Sequence, residues 1–251
     1  MTLNKLTINH FPGLEYAAAE SLNTLWTNLS FSGSNMKTFA VTSCRPDEGK
    51  TFVVMNLART IAGTGKKVLM IDADLRKSVI AGRYRISSTS GEMWGLVHYL
   101  TGHCTVEQML YDTNIPNLNL ILAGYEVINS FALLNTPNFP GLLKELAEDY
   151  DVVLIDTPPV GTIIDAALIA RHCDGTALVV KYNTVSRKEL ADAKAQLEKV
   201  GGRVLGVVLN DVELNAYGMK KYYYKGYYKY SQQADRITVP YTAKRRSRKK
   251  K

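Results

Sequence analysis

Apolar positions along this chain fall into two kinds of run. Short uninterrupted runs occupy 38–42, 67–72, 118–122, 152–156, 177–181 and 204–210, and they are rich in Val, Ile and Leu. Runs of this kind suit strands of a parallel sheet covered on both faces, because neither side of the strand turns to water. Between them lie longer stretches whose apolar residues recur at helical spacing, at 14–29, 52–62, 139–149, 164–171 and 187–200. Two shorter helices are predicted near 93–100 and 106–110, inside a looser region. Gly63-Thr-Gly65 ends one long helix before the next strand begins. Strands alternating with helices predict an α/β fold with a doubly wound, mainly parallel sheet. No internal repeat is visible.

The 251 residues, 46% of them hydrophobic, suit one such domain with a sizeable core and terminal extensions. The expected division is a segment with a helix at 1–36, the core at 37–213, a tyrosine-rich flexible tail at 214–232 and a basic disordered terminus at 233–251. No apolar run reaches the ~18 residues of a membrane-spanning helix, and residues 1–5 lack the apolar stretch of a signal peptide. Cys44, Cys104 and Cys173 are isolated from one another and from the histidines, so free thiols in a reducing cytosol are expected.

Ser43-Cys-Arg-Pro-Asp-Glu-Gly-Lys-Thr51 joins the 38–42 run to a helix-patterned stretch. Strand, tight loop, Gly-Lys-Thr and helix make a phosphate cradle of the P-loop type. Loop amides point at the anion, and the helix N-terminus adds about half a positive charge. Lys50 would reach the β and γ phosphates, and the Thr51 hydroxyl would face Mg²⁺. Pro46, Asp47, Glu48, Gly49 and Phe52 complete the candidate nucleotide-binding loop. Cys44 stands where the strict motif has its first glycine, so the loop alone would also fit an ordinary strand-to-helix turn.

Two further runs end in carboxylates: 67–76 in Asp72 and Asp74, and 151–159 in Asp156. Ligands of open α/β sheets sit at the carboxyl ends of the strands. One such acid could merely cap a helix. Three of them beside a phosphate loop point to Mg²⁺ and phosphoryl transfer, since magnesium takes oxygen ligands and few protein carboxylates. Thr51, Asp72 and Asp156 are the candidate metal-side residues, and Lys50, Asp72, Asp74 and Asp156 the candidate catalytic ones.

Charge and composition add two segments. Residues 217–230 hold seven tyrosines (Tyr217, Tyr222, Tyr223, Tyr224, Tyr227, Tyr228 and Tyr230), four lysines and no acid. Such a tract could be low-complexity filler or a stacking surface. Beside a phosphate loop it reads as a phosphoacceptor, since each phosphate adds about −1.5 to −2 charge. Residues 244–251 carry seven basic side chains, so the net charge of +8 falls to +1 without them. A near-neutral core argues against nucleic acid as a partner. The basic terminus would attract anionic lipid by about 1 kcal/mol per residue, or remain solvated.

Together these motifs resemble the bacterial tyrosine kinases of capsule and exopolysaccharide synthesis, with a modified Walker A at 43–51, a Walker A′ at 68–76 and a Walker B at 152–159. The resemblance covers about residues 20–230. It implies ATP and Mg²⁺ as cofactors, and autophosphorylation of the tail, presented to a neighbouring subunit. It also implies a role in polysaccharide export, and a membrane-anchored activator that recruits a cytoplasmic kinase to the inner face of the membrane. Asp72, first out of its strand, is favoured as the proton acceptor over Asp74. Asn210, ending 206–210, resembles the asparagine that reads the adenine edge, and would equally suit a turn. Partition or positioning ATPases share the deviant loop, and a weak nucleotide-binding scaffold is a further alternative. Two departures matter. Asp47 replaces a glycine of the family's loop, a position where Asp tolerates left-handed backbone better than most residues. In the family's assembly motif, Glu-x-x-Arg-x-x-Arg, Asn23 and Trp26 follow Glu20 where arginines are expected, so ring assembly is expected to be weak, with Trp26 either at an interface or in the core.

Overall fold

A computed structural model describes residues 4–88 and 91–212. The Tyr217–Tyr230 cluster and the basic terminus lie outside the described residues. Nine strands form one sheet: β1 Asn4–Ile8, β2 Thr38–Ser43, β3 Val68–Asp72, β4 Ile86–Ser88, β5 Tyr111–Thr113, β6 Leu118–Ile121, β7 Val152–Asp156, β8 Gly175–Lys181 and β9 Val204–Asn210. Their order is β4-β1-β5-β6-β3-β7-β2-β8-β9. From β6 to β9 every pairing is parallel. The antiparallel pairs, β1 with β4 and β5 with β6, are confined to one side.

Period-two alternation along the central strands builds two cores at once. Phe39, Val41, Val68, Met70, Val152 and Leu154 point to one face, under α1 (Tyr16–Ser30) and α2 (Lys50–Gly63). Ala40, Leu69, Ile71, Val153 and Ile155 point to the other. That face is covered by α4 (Leu96–Leu100), α6 (Ser130–Leu134), α7 (Asn138–Asp149), α8 (Asp165–Ala170) and α9 (Arg187–Lys199). Two short helices, α3 (Ile80–Arg83) and α5 (Val106–Met109), complete the elements. Burial on both faces is why these strands are apolar throughout.

The start of β2 is pinned by one side chain. Asp174 Oδ2 accepts the Lys37 and Thr38 amides and the Thr38 hydroxyl, each at 2.8 Å. β2 and β3, consecutive in sequence, flank β7 in space, with Asp72 in register with Asp156. Their carboxyl ends therefore open side by side, and the phosphate loop leaves β2 directly above them. No helix among the described residues is long and apolar enough to cross a membrane.

Candidate active site

The loop after β2 is braced from within. Glu48, only 3% exposed, accepts the Arg45 amide at 2.7 Å and the Lys181 amide at 3.3 Å, tying the loop to the end of β8. Asn210, at the end of β9, donates its side-chain amide to the Glu48 carbonyl at 2.9 Å. A Cβ on Gly49 would lie 2.1 Å from that Asn210 nitrogen, and Gly49 has φ +84°. Glycine is thus required at the N-cap of α2 on two counts, space and backbone sign. Asp47 has φ 61°, so the residue that replaces a glycine does stand in left-handed backbone, with its side chain exposed. Pro46 is exposed beside it, and Phe52 is half-buried in the first turn of α2. Arg45 closes the loop's outer side by an ion pair with Glu189 of α9.

The first turn of α2 carries the two polar side chains of the loop. By helix geometry its leading amides have no acceptor within the helix, so they face whatever sits in the loop. Lys50 Nζ is 3.5 Å from Asp74 Oδ2, with both side chains largely buried. The Thr51 hydroxyl donates to Asp156 Oδ2 at 2.6 Å. Asp156 Oδ1 is buried and has no hydrogen-bond partner. A buried carboxylate oxygen without a donor is costly unless a cation or water meets it. The pair Thr51 and Asp156 therefore fits a hard divalent cation, which takes few protein ligands and keeps waters.

Asp72 is fully buried. Its Oδ2 accepts the Ser78 hydroxyl, and its Oδ1 accepts the Asp74 amide at 3.2 Å. Burial first, and the Asp156 carboxylate second, push its pKa up to about 8, against the pull of the Ser78 bond. Burial also raises Asp156, to about 6, while Lys50 and Thr51 hold it down. Two acids in register on adjacent strands resist simultaneous ionisation. Without a cation Asp72 is the one that holds a proton at neutral pH, and positive charge brought into the site favours its ionised form.

Three further residues organise the site, and sequence patterning alone did not mark them. Ser78 orients Asp72. Asp165, 1% exposed at the start of α8, accepts Arg76 Nε at 3.1 Å and the Ser130 hydroxyl on the same oxygen. It ties the β3 exit to α6. Arg45 joins the loop to α9. The partners of Asp165 and Arg45 lie far off in sequence, so no local spacing exposes them, and Ser78, six residues from Asp72, lies on no periodic run. Asn210 was marked, and the structure gives its amide a use inside the protein.

A family model described as an AAA domain matches residues 36–209. The tyrosine-protein kinase CpsD of Streptococcus pneumoniae is 38% identical over 208 residues, covering 82% of this chain and 90% of that protein. This chain belongs to the bacterial capsular tyrosine kinases. The kinase shares its fold with the kinase domain of Escherichia coli tyrosine kinase ETK, at TM-score 0.75 and 31% identity over 80% of this chain and 78% of that one. A septum site-determining protein MinD from Pyrococcus horikoshii, complexed with Mg-ADP, is similar at TM-score 0.58 and 24% identity, covering 69% of each chain. That likeness is one of fold alone. The kinase is thus a protein-tyrosine kinase of the capsule-related group on a P-loop scaffold, and the partition-type alternative has no relative of comparable identity among these.

Proposed function

We propose that this kinase transfers the γ-phosphoryl group of ATP to tyrosines of its own Tyr217–Tyr230 cluster, in trans, and so regulates polysaccharide synthesis and export. One observation carries the site assignment: Lys50, Thr51, Asp72, Asp74 and Asp156 meet where β2, β3 and β7 end, beside a left-handed Gly49. The loop amides and Lys50 hold the β and γ phosphates. Lys50 exchanges its Asp74 partner for phosphate oxygens when nucleotide enters. Magnesium, when bound, would neutralise charge on those oxygens, and Thr51 and Asp156 would hold it. The unpartnered Asp156 oxygen beside Thr51 and the left-handed Gly49 loop support that cofactor pair. Asp72, ionised once positive charge at the site offsets the Asp156 carboxylate, accepts the proton of the acceptor hydroxyl as the tyrosine oxygen bonds to the γ-phosphorus. The bond to the β–γ bridging oxygen breaks and ADP leaves. Pro46, Asp47, Glu48 and Phe52 shape the loop. Asn210 has its amide on Glu48, which leaves its carbonyl oxygen to read an adenine amino group.

We further propose a cytoplasmic kinase recruited to the inner membrane face by a membrane-anchored activator, with the basic terminus adding attraction to anionic lipid. The test is direct. Purified protein incubated with Mg-ATP, with and without membrane extract, should gain phosphate within residues 217–230 by mass spectrometry. Phosphate appearing only on other proteins, under either condition, would contradict the tail as acceptor.

A further inference from the structure

The proposed proton acceptor is closed to an incoming side chain. Asp72 is 0% exposed. Each of its carboxylate oxygens already accepts a hydrogen bond, Oδ1 from the Asp74 amide at 3.2 Å and Oδ2 from the Ser78 hydroxyl. A substrate phenol must bring its oxygen within about 2.6–3.2 Å of the group that takes its proton, and a rigid ring cannot follow a carboxylate that far inside. Ser78 is placed differently. It stands in the turn between β3 and α3 and is only half-buried. That turn is fixed. Asp74 Oδ1 accepts the Lys77 amide at 3.1 Å, and Arg76 is held by Asp165 at 3.1 Å. A serine oxygen has two acceptor lone pairs, and no donor among the described residues uses those of Ser78. One hydroxyl therefore touches the buried acid and also reaches the surface.

We infer that Ser78 is the catalytic residue that meets the acceptor: the tyrosine hydroxyl donates to Ser78 Oγ while the Ser78 hydroxyl donates to Asp72 Oδ2. The inference rests on the reading of Asp72 as proton acceptor and carries that reading one atom outward. As the phenol oxygen bonds to the γ-phosphorus, its proton passes to Ser78 Oγ, and the Ser78 proton passes to Asp72 Oδ2. The bond from the γ-phosphorus to the β–γ bridging oxygen breaks, and its electron pair leaves with ADP. Serine ends with the hydrogen it began with, tyrosine has lost one proton and Asp72 has gained one, so no further reactant is needed. The relay also explains how a fully buried acid can serve the reaction. Bulk water, the competing phosphoryl acceptor, has no direct path to it.

A serine that merely steadies Asp72 would also matter for rate, so the test counts the protons that move. It follows single-turnover tyrosine phosphorylation of the full chain in Mg-ATP, in mixtures of H2O and D2O, for the parent, Ser78→Ala, Ser78→Thr and Asp72→Asn. A fluorescent nucleotide reports the loop. The parent rate should fall along a curve as the deuterium fraction rises, because two protons move together. Ser78→Ala should lose about a hundredfold in rate with nucleotide affinity unchanged, and its residual rate should fall along a straight line. Ser78→Thr keeps the hydroxyl and should recover most of the rate and the curve. A straight line for the parent overturns the relay whatever the variants do. So does a Ser78→Ala rate equal to the parent's, or a slow Ser78→Ala that keeps the parent's curve, which would leave Ser78 a brace. Phosphate found on Ser78 itself would overturn it as well, since serine would then be an acceptor. Asp72→Asn separates the two readings. If it keeps the parent rate, the base assignment falls and the relay with it; if it is inactive while Ser78→Ala is not, only the relay falls.

Discussion

Gly49 and Asn210 compete for one space at the loop, and glycine is the only residue that resolves it. Gly49→Ala should therefore weaken Mg-ATP binding at least tenfold by calorimetry, while Gly63→Ala, where a Cβ meets nothing, should not. Lys50→Met should abolish phosphotyrosine formation with the melting temperature kept within a few degrees, because it removes charge but little packing. Asp72 sets a pH dependence. Its folded pKa, about 8, is raised above the unfolded carboxylate value, so the folded state holds about one more proton than the unfolded state between pH 4 and 8. Stability of the metal-free protein should fall as pH rises across that window. Asp72→Asn should flatten this slope in urea melts taken in EDTA, and an unchanged slope would show that Asp72 is not the group that titrates.

Elements were legible to the degree that they were buried on both sides. β2, β3, β7 and β8 lie within two or three residues of the runs that predicted them, and α1, α2, α7, α8 and α9 follow the helical spacing. β9 also matches its run, but it is an edge strand with Val207 and Leu209 half exposed rather than covered on both faces. β1, β4 and β5 were not predicted. Asn4-Lys-Leu-Thr-Ile8 buries only Leu6 and Ile8, and β4 and β5 are three residues each. Signals that short cannot be told from loop, and pairing between distant segments decides them. α1 shows a related effect. Trp26 is half-buried and packs against the α2-side core, and Asn23 bonds Glu20 within the helix. Trp26 thus packs on the core with part of its ring exposed. Trp26→Ala should cost about 2 kcal/mol in denaturant melts, below the full core value because it is only partly buried. Asn23→Arg alone is then the clean probe of assembly, and sedimentation should show it raising the oligomeric fraction. Asp165→Asn should lose about 2–3 kcal/mol through its bonds to Arg76 and Ser130. No run or spacing announced that link, since its partners stand 89 and 35 residues away.

At the scale of the whole molecule, the site is made by sheet order. Parallel crossovers place β7 between β2 and β3, so a phosphate loop and three acids from separate motifs meet. The motifs could be read in sequence because each ends a buried strand. Their braces could not: Glu48 and Asn210 read as nucleotide-binding residues and Asp165 as nothing, because all three brace the site through contacts between elements. The charge that distinguishes the chain is gathered at its C-terminus, leaving a core near neutrality. The most direct test of this account mixes Lys50→Met protein with a variant whose seven cluster tyrosines are phenylalanine but whose loop is intact, in Mg-ATP. The account predicts phosphate on the 217–230 tyrosines of the Lys50→Met chain, at a rate that rises with the concentration of the loop-intact chain. A Lys50→Met chain left unlabelled at high concentration, while the parent labels its own tail, would contradict it.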